Sequence, residues 1–194
     1  MQFWPDGTTK YLGAAAQGEG LNDRKRILLG IPGVSNKLIR RELFSAHNLL
    51  FPEKSYYEDL ALHLAVPALS QRAVYINKGY YHYRQHEQSK TATYDLKRSL
   101  EVMSALDYAL QFYPLREVEE LWEEFEFKAV RHGFMTPSIR ALRANRGWQA
   151  VEVVKRLKAY INRNFPGWKS NRYLRGQLTM KQKALLFVLS SWLF

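Results

Sequence analysis

Apolar side chains recur at Leu96, Leu100, Met103, Leu106 and Leu110, in steps of three and four. That period places them on one face of a helix, with Asp95 as its N-cap and Pro114 beyond its end. A second helix is predicted from Leu115 to His132. Val118, Leu121, Trp122, Phe125 and Ala129 share its inner face, its outer face is acidic, and Gly133 closes it. Val151, Val154, Leu157 and Ile161 mark a third, basic helix that stops at Pro166.

The earlier part of the chain reads differently. Asp6-Gly7 is a turn signal between short β-like pieces. Val34 to Arg40 predicts a short strand, Arg41 to His47 a short helix, and Asn48 its stop. Leu60, Leu62, Leu64, Val66 and Leu69, mixed with Ala, predict a buried helix that Pro67 bends or ends. Ala73 to Ile76, the turn Asn77-Lys78-Gly79 and Tyr80 to Tyr83 form a predicted hairpin. The expected fold is therefore mixed α/β up to about residue 92, followed by a helical region over 93–194.

Charge sharpens that division. Of the net +11, residues 1–130 contribute 16 basic and 17 acidic side chains, and residues 131–194 contribute 13 basic side chains against Glu152 alone. A segment of one sign points to an anionic partner such as phosphate, a lipid headgroup or nucleic acid. The segment also carries Trp148, Trp168 and Trp192 and ends in an apolar run from Ala184 to Phe194. The run is too short to span a bilayer and suits its headgroup region, or else packs as a last core helix. The chain has no cysteine, hence no disulfide and no thiolate metal site. His47, His63, His82, His86 and His132 follow no metal-ligand spacing, and no phosphate-loop motif occurs.

The strongest candidate for chemistry is Glu58-Asp59, two carboxylates in a first helical turn. Free backbone N–H groups there favour the ionised form, and an ionised carboxylate can take a proton from a hydroxyl. The same pair also reads as ordinary helix-end acids. Tyr80 to His86 could offer Arg84 or His82 to a phosphate and rings to a sugar, or simply pack as a strand. Asn36-Lys37 with Arg40-Arg41 is a third basic cluster, or a solvated strand end.

Taken in order, Ser35-Asn36-Lys37-Leu38, Arg40-Arg41-Glu42-Leu43, His47-Asn48, Phe51-Pro52-Glu53, Tyr57-Glu58-Asp59-Leu60 and Tyr81-His82-Tyr83-Arg84-Gln85 resemble one family. They are similar to the C-terminal half of the catalytic domain of family-2 glycosyltransferases, enzymes of bacterial polysaccharide assembly. The resemblance implies a partial GT-A fold in 1–92. It implies inverting transfer of a sugar from a nucleotide-sugar donor to a glycan or lipid-linked acceptor. Asp59 would be the general base, with Glu58 supporting it. Asn36 and Lys37 would lie on a strand beside the acceptor cleft, Tyr57 would bind substrate, and Tyr83 and Arg84 would lie near the donor diphosphate. It implies a cytoplasmic enzyme, peripheral at the inner face of a membrane that residues 131–194 could touch.

In the complete family enzyme Mg²⁺ or Mn²⁺, held by an Asp-x-Asp motif, neutralises the leaving diphosphate. Here the aspartates are Asp6, Asp23, Asp59, Asp95 and Asp107, none two apart. The family's donor-binding half has no counterpart in this sequence. The chain is thus expected to bind no metal and to be inactive alone, with a separate chain a candidate source of the missing half. A basic nucleic-acid-binding or non-catalytic interaction module is the competing reading, although no helix-turn-helix or RRM signature occurs.

Overall fold

A computed structural model of the chain describes residues 2–3, 9–10, 22–53, 55–76, 78, 80–84, 95–113, 119–144 and 147–191. These residues build a helical assembly. The elements up to residue 92 are α1 (Asp23–Leu29), α2 (Arg41–His47) and α3 (Glu58–Leu69). Beyond it come α4 (Leu96–Leu110), α5 (Glu119–Lys128), α6 (Thr136–Ala144), α7 (Trp148–Asn164), α8 (Arg172–Gly176) and α9 (Met180–Ser191).

The mixed α/β, partial GT-A fold implied by the resemblance is not what forms. Extended pairing among the described residues is confined to three two-residue pieces, β1 (Gln2–Phe3), β2 (Thr9–Lys10) and β3 (Tyr83–Arg84), in the order β2-β1-β3. Residues 33–40 form a turn and irregular chain, with Lys37 N donating to Val34 O at 3.1 Å. Val34 and Ile39 do turn inward, onto a small cluster with Leu49, Leu62, Ala65 and Val66. Ala73 to Ile76 joins no strand ladder among the described residues; Tyr75 N instead donates to Asp23 Oδ2 at 3.1 Å, and Val74 and Ile76 are exposed. β3 instead runs parallel to β1. Alternating apolar residues make a strand only where a neighbouring strand fills the ladder, and here helices occupy that space. The proposed turn residues Asn77 and Gly79, and Asp6-Gly7, lie outside the described residues.

The helices form for local reasons that the sequence announces. Asp95 accepts from Lys97 N at 2.8 Å and caps α4. Asn48 takes a left-handed conformation, φ 49°, and ends α2. Pro67 sits in the last turn of α3, which stops two residues later at Leu69. Arg24 catches the freed end: Nε donates to Pro67 O at 2.9 Å and Nη2 to Ala68 O at 3.3 Å. α1 itself has too few apolar positions to show a period. Asn22 caps it, and Leu28 and Leu29 bury its end.

The second predicted helix departs most from expectation. It does not close at Gly133. α5 continues through a π-helical segment, Ala129–Met135, directly into α6. The cause is Pro137, whose ring would strike the carbonyl four residues earlier in a regular α-helix. Widening the turn removes that clash, and the hydroxyl of Thr136 donates to Arg131 O at 2.9 Å. Gly133 is buried at this point against Leu106 of α4.

Nor is the acidic side of α5 wholly a solvent face, although Glu119 and Glu120 at its start are exposed. Glu124 and Glu126 are buried. Glu124 Oε1 accepts from Tyr173 Oη at 2.5 Å and pairs with Lys25 Nζ at 3.1 Å. Glu126 Oε2 accepts from Asn171 at 2.9 Å, Glu123 binds Arg172 and Glu120 binds Arg24. The acids of α5 therefore dock the basic helices α1 and α8. One apolar cluster joins α1, α3, α4, α5, α6, α7 and α9, with Phe125, Phe127, Phe134, Leu106, Leu157 and Phe165 among its fully buried members.

Candidate functional site

Glu58 and Asp59 open α3, as the sequence predicts, with Tyr57 at the N-cap. Asp59 is half-buried, and its Oδ1 accepts from the next backbone amide, Leu60 N, at 2.7 Å. Burial pushes its carboxyl above the usual range. Leu60 N–H and the Lys37 ammonium pull the other way, and the neighbouring Glu58 adds to the rise. Among the described residues Asp59 is held in no ion pair.

Lys37 reaches this site from the loop between α1 and α2. Its Nζ donates to Gly33 O at 2.5 Å and to Asn36 Oδ1 at 2.9 Å. Burial lowers it to about 8, and the Asp59 charge opposes that fall. Asn36, Lys37, Glu58 and Asp59 are thus brought to one place, with Asn36 exposed and the other three half-buried. Tyr57, next in the chain before Glu58, meets other partners. It is 8% exposed, its ring lies edge-on to Tyr56 at 5.3 Å, and its hydroxyl meets Arg140 of α6. Tyr83 and Arg84 are described only as the backbone of β3, paired with Gln2 and Phe3.

Behind Asp59 lies a group that the sequence reading passed over. His63 stands one turn along α3, on the same face, and its Nε2 donates to Leu28 O at 2.9 Å. The Lys128 ammonium, 1% exposed, donates to Gly30 O. These two side chains satisfy carbonyls at the C-terminal end of α1, where the helix dipole favours positive charge. Burial nevertheless lowers Lys128 to about 7, helped by Arg131 and Lys37. His63 and His132 are pushed well below the usual imidazole range, first by burial and then by the surrounding cations. The spacing Asp59-x-x-x-His63 was the available signal: it puts carboxylate and imidazole on one helical face.

Chemically, the arrangement offers a half-buried carboxylate between the negative charge of Glu58 and the weaker, opposing pull of the Lys37 ammonium. Lys37 favours its ionised form, while partial burial keeps its affinity for a proton above that of a free aspartate. A shallow groove of about 240 Å³ lies on the loop that leads into α3, lined by Pro52, Glu53, Ser55, Glu101 and Ser104. Asp59 is outside that lining. Among the described residues no three His, Asp or Glu side chains are grouped to hold a metal ion.

No helix among the described residues is long and apolar enough to cross a membrane. No family model, curated protein or solved structure matches the chain.

Proposed function

We propose that the chain carries the acceptor side of a sugar-transferring reaction, with Asp59 as the base. The observation that supports it best is the state of that carboxylate. It opens a buried helix, is half-buried, has a raised proton affinity and is held in no ion pair among the described residues. A structural first-turn acid is expected to be exposed or paired, with its proton affinity lowered. The reading rests on this local site and on the ordered residues 35–60, not on the fold, which differs from that of the family.

In the proposed reaction an acceptor hydroxyl gives its proton to Asp59 as its oxygen attacks the sugar's anomeric carbon. The bond from that carbon to the nucleotide diphosphate breaks in line, with inversion. The Lys37 ammonium favours the ionised form of Asp59 against burial and the neighbouring Glu58. Asn36, exposed and accepting from Lys37 Nζ, would meet the acceptor's hydroxyls. No step is assigned to a metal.

The test is saccharide binding by the chain itself, followed by backbone amide resonances during titration with glycan and lipid-linked acceptors. Shifts at Asn36, Lys37, Glu58 and Asp59, lost in Asp59→Asn, are expected. An acceptor series that moves none of these resonances overturns the reading.

A further inference from the structure

We propose that α9 docks the chain on an anionic lipid surface through its outward apolar stripe, independently of the role given to Asp59. The helix is apolar on two opposite sides. Leu185, Leu186 and Leu189 pack into the main core. Met180, Ala184, Phe187 and Val188, three or four positions apart, run along the other side and are exposed. Met180 and Phe187 are at least 70% exposed, and Val188 is 49% exposed. Isolated exposed apolar residues are normal, but a continuous row on one helix face marks an interaction surface.

The stripe belongs to a firmly built helix. Thr179 and Gln182 form a reciprocal cap, Gln182 N donating to Thr179 Oγ1 at 3.3 Å and Thr179 N to Gln182 Oε1 at 2.9 Å. The chain buries one side of α9 and still presents aromatic and branched side chains on the other.

Charge selects the occupant. Lys181 and Lys183 flank the stripe in the first turn of α9, which holds no acid. A helix N-terminus is the end where its own dipole disfavours cations, so these lysines weaken the isolated helix. An anionic surface reverses that sign. Residues 147–191 carry nine Lys/Arg side chains against Glu152 alone. A second copy is the wrong occupant, since two chains of net +11 would meet with lysines beside both stripes. With 12 residues α9 is too short to span a bilayer, and it is suited to lie along the interface, apolar side down between the headgroups.

The test is co-sedimentation of the full chain with vesicles of phosphatidylcholine alone and of phosphatidylcholine with phosphatidylglycerol, at low and high salt. Binding is expected to the anionic vesicles, to fall with salt, and to be lost in Phe187→Ser/Val188→Ser. Each of Lys181→Gln and Lys183→Gln should weaken it by about fivefold, the share of one lysine near a charged surface. All four side chains point away from the core or lie at its edge, so helix content by circular dichroism should stay unchanged. Because the chain has no cysteine, a polarity-sensitive dye on Val188→Cys should also shift to the blue on anionic vesicles only. Failure of the native chain to bind anionic vesicles at low salt overturns the proposal. So does equal binding by Phe187→Ser/Val188→Ser, or a concentration-dependent self-association that this double variant abolishes.

Discussion

Gly133 lies against Leu106 so closely that a Cβ on the glycine would stand 2.5 Å from Leu106 Cδ1. The contact joins the π-helical segment between α5 and α6 to the middle of α4. Both residues are buried, so neither can yield toward solvent. Gly133→Ala gains helix propensity of about 1 kcal/mol but overpacks the core, which typically costs about 1–3 kcal/mol. A net loss of about 1 kcal/mol is expected in urea unfolding. Gly133→Ala/Leu106→Ala should recover part of it by making room for the methyl. A more stable Gly133→Ala would show that this close approach has no energetic weight.

Lys128 and Lys37 set a pH dependence with a definite sign. Both have folded proton affinities below the ordinary lysine value, at about 7 and about 8. The unfolded chain therefore holds more protons on these groups between those values and about 10.5, and folding stability rises with pH across that window. At a pH below 7, both lysines are charged in either state and their full penalty is present. Arg131 and Lys37 supply the positive field at Lys128, while His63 and His132, pushed well below the usual imidazole range, face the same region as neutral rings across this window. Lys128→Met should flatten the rise above pH 7 while leaving the part due to Lys37. A denaturation series over this range with no upward slope in the native chain would contradict the buried placement of Lys128.

Glu124 holds three elements at one buried oxygen. Its Oε1 receives Tyr173 of α8 at 2.5 Å and Lys25 of α1 at 3.1 Å, with Arg172 at 3.6 Å. Breaking a fully buried pair from one side costs about 3–5 kcal/mol. Here Lys25 retains some exposure and Arg172 is open to solvent, so water can take them back. Glu124→Ala should therefore lose about 2 kcal/mol, whereas the exposed Glu120→Ala should lose under about 1 kcal/mol. Equal losses for the two variants would mean that burial does not distinguish them.

These contrasts show how far the sequence could be read. The faces of α4 and α7 were legible because their apolar residues recur at helical spacing, and α2 because Asn48 stops it. Glu124 and Glu126 were misread as solvent-facing because acids on a helix ordinarily are; Lys25, Tyr173 and Asn171, distant in sequence, supply the partners that bury them. Gly133 was misread as a helix end, and Pro137 was given no part, because the widened turn that lets a helix pass a proline has no local sequence mark. Val34–Arg40 and Ala73–Ile76 have strand composition, but pairing is decided by what lies alongside. At the candidate site the position of Asp59 at the head of α3 was legible. The convergence of Lys128 and His63 on the end of α1 was not, since ninety-eight residues separate Lys128 from Gly30.

Asp59→Asn separates a reactive carboxylate from a structural one. Partial burial raises its proton affinity, so the folded chain disfavours the ionised form that the proposed reaction requires. Between the ordinary aspartate value and this raised value, the folded chain holds the extra proton. The penalty grows as pH rises through that window and is fully present above it. Asparagine removes the charge and keeps an oxygen for Leu60 N, which donates to Oδ1 at 2.7 Å. At neutral pH the variant should unfold at an equal or higher temperature than the native chain while losing sugar transfer by at least about a hundredfold, the usual share of a general base. Transfer is assayed by incubating the chain with a series of nucleotide-sugar donors and acceptor glycans. Its rate with native Asp59 should fall as pH drops through the raised carboxyl value, since only the ionised form can accept the proton. A lower unfolding temperature together with undiminished transfer would identify Asp59 as a helix-end acid and nothing more.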